Sequence, residues 1–170
     1  FEFSKHLTQK QFIAALAASK PDFAPGSAWK YSNSGYNLLG FIVEIVRGQS
    51  YWQFLREHIW RPLGMTATPA RDPGVISTNR AAGYEQTNRI HINRDYDLTD
   101  VYSAGAIVST VGDLALWNRA LDAEQLLTRE SKSQMWTPAR LNDGQPTSYG
   151  LGWYIQILDG HRNFAHNGAT

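Results

Sequence analysis

The first half of the chain is dominated by apolar residues at helical spacing. These residues recur every three or four positions after Thr8-x-x-Gln11, a capping-box pattern, which predicts a first helix over about residues 9–19. Over residues 34–47 apolar side chains occupy almost every face of a helix, and Gly48 follows as an end signal. This stretch predicts a second helix that is buried on all sides rather than amphipathic at a surface.

Capping residues mark further helices, and a long irregular stretch separates them. Residues 66–103 show no sustained period and carry several Pro, Gly, Asn and Asp residues, which indicates a long excursion without regular structure. The predicted helices run from Ser50 to just before Pro62, from Thr110 through about Leu121, and from Thr128 or Ser131 to near Trp136.

The last part of the chain has the pattern of a β-hairpin. Residues 149–158 and 163–166 read as two strands, and Asp159-Gly160 between them is a strong hairpin turn signal flanked by apolar residues. The chain therefore predicts helices first and strands last.

Composition narrows the class of protein. One domain is expected for 170 residues, of which 42% are hydrophobic and 18% charged. The formal net charge of +1 and the scattered Lys and Arg residues give no electrostatic footprint for nucleic acid. No apolar run is long enough to span a bilayer, no cofactor is indicated, and the histidine spacing gives no metal site. The absence of cysteine removes disulfides and thiolate chemistry.

The tripeptide Tyr31-Ser32-Asn33 carries the most informative chemistry. A phenol held near cations can lose its proton below its free pKa and act as a general base, and a carboxamide two residues on can hold a substrate amide. The alternative is a surface turn in which Asn33 or Ser34 caps the following helix. Tyr31 and Asn33 are predicted to lie just before the N-terminus of the second helix.

The segment around this tripeptide resembles the second motif region of the class C β-lactamase, D-alanyl-D-alanine carboxypeptidase and serine esterase family. Further matches follow in the family's order, so the resemblance spans nearly the whole chain. They are Pro62-Leu63-Gly64-Met65-Thr66, residues 104–115, Tyr149-Gly150-Leu151-Gly152-Trp153, and His166-Asn167-Gly168-Ala169-Thr170, which is similar to the family's third motif.

The resemblance implies an α/β (α+β) fold of the β-lactamase/transpeptidase-like type, with an antiparallel sheet flanked by helices and a mostly helical region. Residues 1–170 are then part of one such domain, with a mostly helical region over about 1–140 and the start of the C-terminal strands over about 145–170. Both ends are expected to be cut from a longer sequence. The chain opens at Phe1 without an initiator Met or a signal peptide, and by the resemblance it stops at His166–Thr170 while the strand of the third motif is still under way. An incomplete sheet leaves an edge expected to pair with the missing segment or another chain.

The resemblance also implies a function. It indicates a bacterial serine hydrolase that acts on a small-molecule ester, amide, peptide or β-lactam through an acyl-enzyme. By the same resemblance Tyr31, Asn33 and His166 are catalytic, and Gly168 and Ala169 bind the oxyanion and substrate. The resemblance further implies that the backbone N–H of Ala169 pairs with that of the nucleophile to form the oxyanion hole.

The nucleophile of the family, a Ser-x-x-Lys at the start of a buried helix, is expected outside this chain. The one literal match, Ser27-Ala28-Trp29-Lys30, is interpreted as a chance match because no helical period follows it. Two alternatives stay open: an inactive family member that serves as a binding module, and a stable fragment without a function of its own. The compartment is periplasmic or extracellular if a signal peptide precedes the chain, and cytoplasmic otherwise.

His166 refines the substrate prediction, because β-lactamases usually carry Lys at this position. An unperturbed imidazole, with a pKa of about 6.5, is mostly neutral near pH 7 and grips a substrate carboxylate less strongly than an ammonium does. This favours ester, amide or peptide hydrolysis over efficient penicillin hydrolysis. The alternative interpretation of His166 is a structural histidine in a strand, satisfied by its neighbours.

Overall fold

The computed structural model describes residues 7–69, 79–87, 90–93 and 98–168. In these ranges helices come first and the longer strands come last, as predicted. The elements are α1 (Gln9–Ala18), α2 (Asn33–Arg47), α3 (Tyr51–Leu55), a π-helix (Arg56–Trp60), α4 (Arg61–Leu63), β1 (Tyr84–Thr87), β2 (Ile90–Asn93), a 3₁₀-helix (Thr99–Ala104), α5 (Val111–Asp122), α6 (Arg129–Met135), β3 (Tyr154–Leu158) and β4 (His161–Ala165).

The predicted caps start four of these helices. At α1 the Gln11 N–H donates to the Thr8 hydroxyl over 3.3 Å, and the Thr8 N–H donates to the Gln11 side chain over 2.9 Å, so the capping box is complete. In the same way Ser50, Thr110 and Thr128 accept from the N–H three residues on and begin α3, α5 and α6. A cap acts within one turn of helix, which is why the local sequence is enough to predict it.

Helix α2 begins one residue earlier than predicted. Its N-cap is Ser32, whose hydroxyl accepts from the Gly35 N–H over 3.1 Å. Asn33 is therefore the first residue of the helix, neither its cap nor a residue before it. Gly48 ends the helix in the left-handed conformation with φ of 65°, as predicted.

The prediction that α2 is buried on all sides is wrong. Its buried positions are a polar residue and a glycine, Asn37 and Gly40. The apolar side chains of Leu39, Ile42 and Ile45 are exposed, Ile45 by 73%. The apolar content of a helix shows that a face can be buried, but tertiary structure decides which segments cover it. No described residue of this chain covers the face formed by Leu39, Ile42 and Ile45.

The buried face of α2 packs closely against the 3₁₀-helix. The Ser103 hydroxyl donates to the Tyr36 carbonyl over 2.9 Å, and the Ala104 N–H donates to the Asn37 side-chain oxygen over 3.1 Å. At Gly40 a Cβ would lie 2.5 Å from the Ser103 Cβ, so only glycine permits this approach.

A second contact joins the C-terminal half of α2 to the 3₁₀-helix. The Tyr102 hydroxyl donates to the Glu44 carboxylate over 2.5 Å, and the Tyr51 N–H donates to the same oxygen over 2.9 Å. Burial and the bond to Glu44 raise the pKa of Tyr102. Tyr102 itself has φ of 37°, an uncommon conformation for a residue with a bulky side chain.

The helix that begins after Ser50 was predicted to end before Pro62. This prediction is wrong, because the helical residues continue through Pro62 to Leu63. The turn before Pro62 is a π-helix, in which the Arg61 N–H donates to the Arg56 carbonyl five residues back. Pro62 falls in the first turn of α4, where its missing N–H is tolerated, and Gly64 then ends the helix in the left-handed conformation.

Part of the predicted irregular stretch is a hairpin. Strands β1 and β2 pair antiparallel, with Tyr84 opposite Asn93 and Thr87 opposite Ile90. The prediction of a structureless excursion over residues 66–103 is therefore wrong for these strands and for the 3₁₀-helix. Pairing between two short strands of mixed polarity leaves little periodic signal in the sequence.

The second hairpin forms at the predicted turn. Asp159 and Gly160 both have positive φ, of 49° and 79°, as a two-residue hairpin turn requires, and Leu158 pairs with His161. The first strand is shorter than predicted and begins at Tyr154. Residues 149–153 instead form a tight turn, in which the Gly150 N–H donates to the Trp153 carbonyl over 2.8 Å.

The main apolar core lies between the segment from α3 to α4 and helix α5. The buried members of the core are Leu55, Trp60, Leu63, Met65 and Ala120.

Across the described part of the chain, no helix combines the length and apolar character needed to cross a bilayer.

Candidate active site

Aromatic rings from distant parts of the chain meet next to the N-terminus of α2. The Tyr31 ring centroid lies 5.6 Å from that of His166 and 6.3 Å from that of Tyr149. We call the set Trp29, Tyr31, Tyr149, Tyr154 and His166 the ring cluster. The structure thus brings together Tyr31 and His166, which are 135 positions apart in the sequence.

Three local features place the members of the ring cluster. Tyr31 directly precedes the cap of α2. Tyr154 opens β3 and pairs with Ala165, so His166 follows beside it at the end of β4. The tight turn after Tyr149 folds its ring back on Tyr154, with the ring centroids 4.9 Å apart.

Hydrogen bonds hold the His166 ring on both sides. Its Nε2 lies 2.9 Å from the Tyr149 hydroxyl, and its Nδ1 lies 2.6 Å from the Asn167 carbonyl oxygen. Tyr149 is only 5% exposed, whereas Tyr31 is 40% exposed. The ring cluster therefore has a buried interior at Tyr149 and a face at Tyr31 that solvent or a ligand can reach.

The phenol of Tyr31 is not activated within the described residues. Burial, followed by the neighbouring phenols Tyr154 and Tyr36, raises the pKa of Tyr31 above its ordinary value. The nearest cation along the chain, Lys30, places its ammonium 2.7 Å from the Asp22 carboxylate. For Tyr31 to act as a phenolate base, its pKa has to be lowered by a nearby cation. The described residues place no such cation beside it.

The structure supports the interpretation of Ser27-x-x-Lys30 as a chance match. Ser27 lies in a turn, and its hydroxyl donates to the Ala24 carbonyl over 2.8 Å. Lys30 pairs with Asp22 instead of Ser27. A serine nucleophile needs a base within hydrogen-bond reach. Ser27 donates to a backbone carbonyl and Lys30 is bonded to Asp22, so the pair does not meet that condition.

The remaining predicted site residues lie around the ring cluster. Asn33 is the half-buried first residue of α2, and among the described contacts no hydrogen bond joins its amide to Tyr31 or His166. Gly168 is exposed, and a Cβ added to it would meet open space. Ala169, the predicted oxyanion donor, lies outside the described residues.

The sequence predicted no functional role for Tyr149 or Tyr154. Tyr149 was visible only as the first residue of the motif Tyr149–Trp153, and Tyr154 only as part of a strand. The hairpin turn at Asp159-Gly160 was the signal that could have found Tyr154, because the register that it sets places Tyr154 opposite Ala165 and next to His166.

Comparison with known proteins defines the class. The family model described as Beta-lactamase matches residues 2–170, so the chain belongs to the beta-lactamase family. This confirms the resemblance and the predicted β-lactamase/transpeptidase-like α+β fold. The predicted roles of the site residues stay predictions.

Among individual proteins, the chain is similar to penicillin-binding protein 4* of Bacillus subtilis, with 31% identity over 153 residues, or 79% of this chain and 33% of that protein. It is also similar to a D-aminopeptidase of Brucella ovis, with 28% identity over 152 residues, 86% of this chain and 28% of that protein. A solved structure, a D-stereospecific amidohydrolase from Streptomyces sp., matches with a TM-score of 0.79 and 29% identity over 99% of this chain and 51% of that chain. The chain thus spans about a third of the length of these curated relatives and about half of this solved structure.

Proposed function

We propose that the full-length protein is a serine hydrolase that cleaves ester, amide or peptide bonds through an acyl-enzyme, with Tyr31 as general base. The observation that carries this proposal is the approach of the Tyr31 and His166 rings to 5.6 Å in a chain of this family. The exposed side of Tyr31 gives a substrate access to the phenol.

The proposed reaction starts at a serine in a Ser-x-x-Lys segment outside these 170 residues. The serine oxygen attacks the substrate carbonyl and its proton passes to the Tyr31 phenolate, which later returns it to the leaving group. Asn33 hydrogen-bonds the substrate amide or orients the lysine of the Ser-x-x-Lys segment, and the Ala169 N–H stabilises the oxyanion together with the N–H of the serine. Water then hydrolyses the acyl-enzyme.

This mechanism needs a cation beside Tyr31. In the described residues burial and neighbouring phenols raise the pKa of Tyr31, which favours the neutral phenol. The lysine of the Ser-x-x-Lys segment is the proposed cation. We therefore expect the pKa of Tyr31 to be lower in the full-length protein than in the isolated chain.

The substrate class follows from His166 and from the relatives. A neutral imidazole in place of an ammonium gives little grip on a carboxylate, which disfavours penicillins. The similar D-aminopeptidase and D-stereospecific amidohydrolase support an amide or peptide bond next to a D-configured residue as the substrate.

The test is hydrolysis by the full-length protein of a nitrophenyl ester, a D-amino acid amide and nitrocefin. We expect turnover of the ester and the amide, slower cleavage of nitrocefin, and a loss of about 10²–10⁴-fold in kcat for Tyr31→Phe. Tyr84→Phe, an exposed tyrosine of β1, is the matched control and should keep full activity. Faster nitrocefin cleavage would overturn the substrate class, and a fully active Tyr31→Phe would overturn the role of Tyr31.

A second candidate is an inactive family member that serves as a binding module, or a stable fragment without function. The raised pKa of Tyr31 favours it, because a neutral phenol is no base. We expect no turnover from the isolated chain under either function. Labelling of a serine in the isolated chain by a fluorophosphonate would contradict that expectation, and lack of a Ser-x-x-Lys in the full-length protein would favour the binding module.

A further inference from the structure

The two ring nitrogens of His166 are both engaged, and one of their partners can only accept a hydrogen bond. Nδ1 lies 2.6 Å from the Asn167 carbonyl oxygen. Because a carbonyl oxygen has no proton to donate, Nδ1 must carry the hydrogen. A bare Nδ1 at this distance would place two lone pairs against each other.

The hydrogen-bonding role of Nε2 follows from the assignment of Nδ1. A neutral imidazole carries one N–H, so with Nδ1 protonated Nε2 is an acceptor. The group beside Nε2 is the Tyr149 hydroxyl at 2.9 Å, which must therefore donate. Burial raises the pKa of Tyr149, so the phenol stays protonated and its one O–H can be donated to Nε2.

We propose that Tyr149 is a positioning residue that, together with the Asn167 carbonyl, holds neutral His166 as the Nδ1–H tautomer, so that neither ring nitrogen is free to hydrogen-bond a substrate. The consequence of this fixed tautomer for substrate selection rests on the proposed function and deepens it. A site whose third-motif side chain offers no free donor selects acyl substrates that lack a carboxylate at that point. The tautomer itself is independent of any hydrolytic activity.

The surroundings of His166 favour a fixed ring. The rings of Tyr31, Tyr149 and Tyr154 pack around it, with centroid distances of 5.6, 5.8 and 5.4 Å. Among the described residues no carboxylate, ammonium or guanidinium is bonded to it. Of the three phenols, Tyr149 is the one whose hydroxyl reaches a ring nitrogen.

The direct test is the nitrogen NMR spectrum of the histidine side chains of the 170-residue chain at about pH 8, where imidazole is neutral. We expect His166 to show a protonated Nδ1 and an unprotonated Nε2. An Nε2–H tautomer, or rapid averaging between the two forms, would overturn the proposal without any variant.

Two matched variants separate positioning from simple packing. Tyr149→Phe removes the donor to Nε2 and keeps the ring, and we expect the Nε2–H form to appear beside the Nδ1–H form, which the Asn167 carbonyl still favours. Tyr154→Phe removes a hydroxyl from a ring that also contacts His166, and the tautomer should stay fixed. An unchanged tautomer in folded Tyr149→Phe, checked by its backbone spectrum, would show that Tyr149 does not position His166.

The specificity arm uses the full-length protein and two nitrophenyl esters, one with a neutral acyl group and one with a carboxylate on that group. We expect a preference for the neutral ester, and a decrease of about tenfold in that preference, or ~1.4 kcal/mol, for Tyr149→Phe. If neither ester is hydrolysed, the proposed function fails while the tautomer measurement still stands. A preference for the carboxylated ester would overturn the specificity.

Discussion

Lys132 should stabilise the end of α5, although no sequence pattern singles it out. Its side chain lies on α6 and is 8% exposed. The ammonium donates to the carbonyls of Leu121, Asp122 and Ala123 over 3.1, 3.3 and 3.0 Å. These carbonyls end α5 without partners inside the helix, and the three N–H groups of the ammonium match them one to one.

The expected cost of Lys132→Met can be worked out from these contacts. Methionine keeps most of the apolar stem but donates no hydrogen bond. Asp122 and Ala123 are exposed, so water can replace the lysine at their carbonyls, while Leu121 is buried and its carbonyl loses a charged donor. A bond from a charged donor contributes about 1.5–3 kcal/mol, and relief of the buried charge offsets part of its loss. With the interaction at the helix C-terminus included, we expect a net loss of about 2 kcal/mol.

Urea unfolding followed by tryptophan fluorescence measures this loss, since the chain has six Trp residues. A loss of about 2 kcal/mol moves the midpoint by roughly 1 M when the slope is about 2 kcal/mol per molar urea. Lys10→Met, at an exposed position of α1, is the matched control and should change stability by less than about 0.5 kcal/mol. Equal midpoints for the two variants would refute the assigned role of Lys132.

Two further predictions concern packing and pH. Gly40→Ala should lose about 1–3 kcal/mol, because its Cβ would overlap Ser103. Gly112→Ala in α5 should gain about 0.5–1 kcal/mol, because its Cβ would lie at an ordinary contact distance of 3.8 Å from the Thr110 hydroxyl; thermal unfolding that ranks the two variants in the opposite order would contradict this. Stability should fall as pH rises through about 10, because unfolded tyrosines ionise there while burial and Glu44 keep Tyr102 protonated in the folded chain. Tyr102→Phe should flatten this slope in urea titrations, and an unchanged slope would contradict the assignment.

The helix starts and the C-terminal turn were predictable from short stretches of sequence. The caps at Thr8, Thr110 and Thr128 each act on an N–H three residues away, and Asp159-Gly160 needs only its own two dihedral angles. Such features depend on neighbours in the chain, so the local sequence contains all the information that they require.

The family was also accessible from the sequence, because short motifs occur in the family's order along the chain. That order named Tyr31 and His166 as members of one site, and the structure places their rings 5.6 Å apart. Their catalytic roles stay predictions. The motifs could not give the tyrosine neighbours of His166, because these depend on the register of β3 and β4.

What tertiary structure alone decided is the environment of each side chain. The apolar sequence of α2 did not reveal that a polar residue and a glycine, Asn37 and Gly40, form its buried face, because only the 3₁₀-helix that packs there explains them. The direction of the Tyr31 pKa likewise depends on which groups the fold brings near the phenol. The sequence by itself determined the local caps, the turn and the family; burial and charge environment came from contacts between residues far apart in the chain, which no local pattern contains.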